Sequence, residues 1–72
     1  MHKDDRLTNR QRDVLDLALL HYDDHEIADQ LGVKISVVRT HWKDIKHKSG
    51  KWTRTAAIRW YRDWYNPRDP RD

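Results

Sequence analysis

The 72-residue chain is long enough for one small domain and no more, close to the size at which a single apolar core needs help to hold a fold. It has no cysteine, which excludes disulfides and thiolate metal sites, and its longest apolar run, residues 17–20, is far below the ~20 residues that cross a bilayer. Net charge is +3, but residues 1–33 carry four Lys/Arg against eight Asp/Glu, residues 34–62 nine against one, and residues 63–72 two against three.

A stretch as basic as 34–62 repels itself unless a polyanion or counterions neutralise it, so nucleic acid is the expected partner. A merely solvated lysine-rich face is the plainer alternative. Residues 1–6 are charged and lack the apolar core of a signal peptide, so they are expected to form a short tail on a cytoplasmic protein that does not touch membrane.

Thr8, followed three residues later by Gln11, has the form of a capping box and opens a helix expected over residues 9–20. Val14, Leu15, Leu17 and Ala18 recur on its buried stripe, with Leu7 just ahead of the cap. Asp23 and Glu26 repeat the capping signal with acid in the first turn, where the helix dipole favours it. The second helix, residues 24–31, buries Ile27, Ala28 and Leu31 and ends at Gly32, which takes a left-handed conformation without steric cost.

The third helix, residues 35–48, carries the most information. At about 100° per residue, Val38, His41, Trp42, Ile45 and Ser49 fall on one side and Ser36, Arg39, Thr40, Lys43 and His47 on the other. One side can seal a core. The other interleaves small hydrogen-bonding groups with cations, which suits a helix lying in the major groove of double-stranded DNA, where base edges and phosphates both need donors. Lys46 adds a further cation, so the candidate DNA-contacting set is Ser36, Arg39, Thr40, Lys43, Lys46 and His47.

Gly50 closes this helix, and Thr53 caps a fourth over residues 54–65. Its apolar residues, including Ile58, Trp60, Tyr61, Trp64 and Tyr65, cover more than half the circumference, too wide an arc for one core. These five are therefore candidates for a homodimer or partner surface. Asn66 and Pro67 stop the helix, and residues 66–72 have the composition of a disordered tail.

No residues gather as catalytic groups do. His21 and His25 stand four apart, a spacing that can hold zinc on one helix, but a helix boundary falls between them and no further ligand is evident. The carboxylates Asp4, Asp5, Asp13, Asp16, Asp23, Asp24 and Asp29 read as helix-start and surface charge, and His41 as a packed histidine. The expectation is a protein that is not an enzyme and needs no cofactor or metal.

In register and without a gap, Leu7, Thr8, Arg10, Val14, Leu15, Glu26, Ile27, Ala28, Leu31, Gly32, Val33, Val38, Arg39, His41, Ile45, Lys48, Gly50, Arg54, Thr55 and Ala57 match one pattern. From residue 7 to about residue 61 the chain resembles the LuxR/GerE-type helix-turn-helix domain of bacterial response regulators and quorum-sensing regulators. The resemblance implies an all-α, four-helix bundle-like domain, residues 7–65, that binds double-stranded DNA and regulates transcription. Its third helix would enter the major groove and its fourth would commonly build a dimer. Carried over by position, the groove-facing residues are Ser36, Arg39, Thr40 and Lys43.

The chain departs from that pattern at several places. Lys34 stands where Ser or Thr usually caps the recognition helix, so the cap is expected to slide to Ser36. His21 replaces a glycine that ends the first helix, Gln11 replaces a Glu, and Lys46, Ser49 and Lys51 replace apolar residues; Trp42 and Trp52 are expected to fill the space. With six residues ahead of the domain, no sensing domain is expected, and regulation would come from expression level or a protein partner. Two alternatives follow: a small, phage-type protein that occupies a host regulator or RNA polymerase, and a DNA-recognition subunit of a packaging or recombination complex.

Overall fold

The computed structural model describes residues 7–65, without the side chains of Trp64 and Tyr65; the two expected tails lie outside the described residues. The chain is all-α, with helices α1 (Asn9–Leu19), α2 (Asp24–Leu31), α3 (Ile35–Ser49) and α4 (Arg54–Trp60), the last running on as a wider π-helical turn, Tyr61–Tyr65. These bounds fall within one residue of those read from capping and periodicity, apart from the π turn.

Local chemistry explains each boundary. At α1 the Gln11 amide N–H donates to Thr8 Oγ1 and the Thr8 N–H to Gln11 Oε1, both at 3.1 Å, and Asp23 and Glu26 exchange the same pair of bonds at 2.9 Å to open α2. Gly32 ends α2 at φ +68° and Gly50 ends α3 at φ +72°. His21 takes the same conformation, at φ +71°, without glycine's freedom. Its N–H donates to the Ala18 carbonyl and the Tyr22 N–H to that of Leu17, so these bonds close the α1 terminus around a residue whose Cβ resists the conformation.

The core is most of the apolar set the periodicity marks; Leu17, Ala18 and Leu31, expected inside, are half-buried against its edge. Leu7, Val14 and Leu15 from the α1 end meet Ile27 and Ala28 of α2, Val38, Trp42 and Ile45 of α3, and Ala57 and Tyr61. At about 25 cal/mol per Å² of buried apolar area, these ten side chains supply most of the driving force available to so short a chain. Tyr61 corrects the sequence reading. It was assigned to an outward partner surface, but its ring is fully buried in the chain's own core and its hydroxyl donates to Asp16 Oδ1 at 2.6 Å.

Polar anchors tie the helices together at the core's edges. Trp42 Nε1–H donates to Asp24 Oδ1 at 3.0 Å, the Arg54 guanidinium bonds Asp24 Oδ2, and the same guanidinium stands 4.8 Å from the Trp42 ring centroid. One carboxylate at the start of α2 thus holds α3 and α4. Lys48 Nζ donates to Gln11 Oε1 at 2.9 Å and joins α3 to α1. Asp16 and Asp24 are therefore tertiary anchors rather than plain surface charge. Trp42 fills the core as expected, whereas Trp52 is 93% exposed and fills nothing.

Candidate nucleic-acid interface

α2, the Gly32 turn and α3 form a helix-turn-helix, and burial divides α3 as the wheel divides it. Val38, Trp42 and Ile45 are buried and His41 and Ser49 half-buried. Ser36, Arg39, Thr40, Lys43 and His47 are exposed, with Lys46 half-buried at the flank of the same strip. Three buried apolar side chains on the opposite face fix the rotation of the helix, so the outward strip is held by packing rather than by contacts of its own.

Among the described residues none of Arg39, Lys43, Lys46, His47 or Lys51 enters an ion pair, whereas Arg10 pairs with Asp13, Arg54 with Asp24, and Arg62 with Asp63. The strip therefore presents uncompensated charge, and such charge attracts polyanions over roughly a Debye length of about 8 Å at physiological salt. Thr40 Oγ1–H donates to the Ser36 carbonyl at 3.1 Å, which leaves its oxygen to accept.

At the start of α3 the departure at Lys34 has a different outcome from the expected slide. The helix still begins at Ile35 with Lys34 as N-cap, its carbonyl accepting from Val37 N–H at 2.9 Å, and no side chain caps the end. At the far end Ser49 is satisfied locally: its hydroxyl donates to the Lys46 carbonyl at 3.2 Å and accepts from Lys51 N–H at 3.3 Å. A polar residue at an apolar position is tolerated there because both its hydrogen-bonding roles are filled.

Two exposed apolar residues that the sequence does not assign to this strip stand beside it. Val37, 37% exposed, lies beside Thr40 on the wheel, and Trp52 stands in the turn after α3, sharing a shallow depression with Lys46, His47 and Lys51. The wheel signal for Val37 was present at the edge of the polar strip. For Trp52 it was not, because a turn has no periodicity to say which way a side chain points.

Of the residues assigned to a partner surface, Ile58 and Trp60 are half-buried, packed partly against the core, and Tyr61 is buried. Trp64 and Tyr65 lie on the π turn, with side chains outside the described residues. A cleft of about 340 Å³ runs between the end of α1 and α4, floored by Ala18, Leu19 and Ile58 and rimmed by Arg59 and Arg62. Among the described residues no three His, Asp or Glu side chains gather as a metal-holding group, and no helix is long and apolar enough to cross a membrane.

Comparison with known proteins gives this geometry its family. The family model described as "Bacterial regulatory proteins, luxR family" matches residues 5–61. The transcriptional regulatory protein MctR of Rhizobium johnstonii is 39% identical over 59 residues, which cover 82% of this chain and 28% of that protein. No solved structure matches. The match extends over the helix-turn-helix, its four helices and the core that orients them, and the chain belongs to the luxR family of bacterial regulatory proteins.

Proposed function

We propose that this chain is a sequence-specific double-stranded DNA-binding transcriptional regulator whose α3 lies in the major groove. The observation that supports it best is the outward strip of α3, where Ser36, Arg39, Thr40, Lys43 and His47 stand exposed and the cations have no ion-pair partner among the described residues. In this reading Arg39 and Ser36 donate to base edges, Thr40 accepts a donor or packs its methyl on a thymine methyl, and Lys43, Lys46 and His47 face phosphate. Val37 adds a second apolar contact at the strip's edge. The functional unit is a homodimer that joins through the outer side of α4, with Ile58 and Trp60 at its margin, and reads two half-sites about one helical turn apart. Tyr61 has no part in that surface.

The test is a mobility-shift titration against a pool of promoter fragments, with wild type, Arg39→Ala and Lys43→Ala. Arg39→Ala is expected to weaken binding by about 5- to 150-fold and to relax sequence preference; Lys43→Ala should weaken all sequences alike and lower the salt slope by about 1. Both side chains are exposed, so unchanged melting curves establish that the fold is intact. Equal binding by all three proteins would overturn the reading.

A further inference from the structure

Trp52 is the least expected side chain on the surface. At 93% exposed it leaves nearly all of a large apolar ring in water, although tryptophan is strongly buried on average. Its surroundings do not suit an apolar protein contact. Lys46, His47 and Lys51 line the same depression, and interfaces between proteins are depleted in lysine at their centre. An indole ringed by cations has the composition that contacts nucleic acid, where aromatic faces pack on sugars or bases while lysines meet phosphates.

Its place in the fold narrows the contact. α3 has 15 residues, hence a length of about 22 Å, whereas the major groove is about 12 Å wide. A helix that puts Ser36, Arg39 and Thr40 against base edges must bring its last turn, Lys46 to Ser49, out to the groove rim, where the sugar-phosphate backbone lies. The chain then reverses at Gly50, φ +72°, its conformation fixed by Gly50 N–H to the His47 carbonyl and Lys51 N–H to that of Lys46. The turn bearing Trp52 is thereby rigidly joined to the end of α3.

Resting on the DNA-binding reading, we propose that Trp52 is a further DNA-contact residue, its indole packing on a deoxyribose at the groove rim while Lys46 and Lys51 neutralise the flanking phosphates. The contact is independent of sequence. It adds affinity without discrimination, because the sugar is the same at every step.

The experiment uses the full chain and a fluorescein-labelled duplex of about 30 base pairs of arbitrary mixed sequence, titrated by anisotropy between about 50 and 200 mM salt. Trp52→Ala should bind about five- to tenfold more weakly at every salt concentration, with the slope of log K against log salt unchanged, because the indole carries no charge. Trp52→Phe should recover most of the loss. Lys51→Ala, in contrast, should lower the slope by about 1. Arg39→Ala and Lys43→Ala serve as the reference for the underlying reading. If Trp52→Ala binds as wild type while Lys43→Ala is impaired, the Trp52 contact is wrong and α3 still binds DNA; if none of the variants differs from wild type, the DNA reading itself falls. A Trp52→Ala protein of unchanged DNA affinity but lower mass by sedimentation would instead make the indole a contact between copies and overturn the proposal.

Discussion

Tyr61 offers the sharpest quantitative check on the fold, because one hydroxyl group links burial, a hydrogen bond and alkaline stability. The ring is fully buried and its hydroxyl donates to the half-exposed Asp16 carboxylate at 2.6 Å. Burial first, and the bond to Asp16 second, hold the phenol in its neutral form and push its pKa up from 10.0 to about 12, against a smaller opposing effect of Arg12. Tyr61→Phe removes the hydroxyl and keeps the ring. A hydrogen bond to a charged group contributes about 1.5–3 kcal/mol, and since Asp16 can rehydrate when the partner is lost, the expected cost near neutral pH is about 1–2 kcal/mol. For a domain of this size that is a large share of roughly 4–11 kcal/mol.

The pH dependence follows from which state holds the proton. Between pH 10 and 12 the unfolded chain loses the Tyr61 proton while the folded chain keeps it, so the folded state binds more protons and stability falls as pH rises. The stabilisation is complete below pH 10 and about 1–1.5 kcal/mol smaller by pH 11. Tyr61→Phe lacks this dependence, so the advantage of wild type over the variant should shrink to near zero around pH 11. Paired urea melts from about pH 8 to pH 11, followed by tryptophan fluorescence, measure the difference, in which titration of every other group cancels as far as the sites are independent. A difference that stays constant across that range would refute the assignment of the alkaline transition to Tyr61, and a variant as stable as wild type at pH 8 would show that the bond to Asp16 contributes nothing.

His21→Gly is expected to stabilise the domain by about 1 kcal/mol, a rise of roughly 4–8 °C in Tm, because φ +71° is strained for any residue with a Cβ; a thermal melt with no rise would mean that the imidazole makes compensating contacts. Asp24→Ala should cost about 2 kcal/mol, leaving the Trp42 indole N–H without its acceptor and Arg54 without its carboxylate, with Asp24→Asn losing less. A change within about 0.5 kcal/mol in denaturant melts of Asp24→Ala would show that this carboxylate is surface charge after all.

The fold was largely legible because its signals are local. Thr8 with Gln11, Asp23 with Glu26, Gly32, Gly50 and Thr53 each set a boundary through the backbone within three or four residues, and the apolar spacing on α1, α2 and α3 named the core. α4 was harder, since its apolar residues extend round most of the helix and the pattern alone does not say which of them the core takes. Ala57 and Tyr61, four apart, were taken; a tyrosine whose hydroxyl finds a partner 45 residues away looks in sequence like any interfacial aromatic. The tertiary roles of Asp24, Asp16 and Gln11 were hidden for the same reason, as each depends on a partner 18 or more residues distant.

These long-range anchors also decide which charges remain for a ligand. Arg54 and Lys48 belong to the basic segment, yet Arg54 is taken by Asp24 and Lys48 by Gln11, so neither extends the strip on α3. Arg39, Lys43, Lys46, His47 and Lys51 are left on the outer side with no acid in an ion pair with any of them among the described residues, although Asp44 stands exposed on the same helix. Five acidic residues of the first half are committed elsewhere: Asp13 to Arg10, Asp23 and Glu26 to the cap of α2, Asp24 to α3 and α4, and Asp16 to Tyr61. Internal polar contacts therefore hold these carboxylates on other faces, and the positive charge stays concentrated on the outer side of α3, where its mutual repulsion opposes folding and is relieved when a polyanion binds. Because the opposite charges sit on different faces, the net charge alone, at +3, understates how strongly this face attracts phosphate.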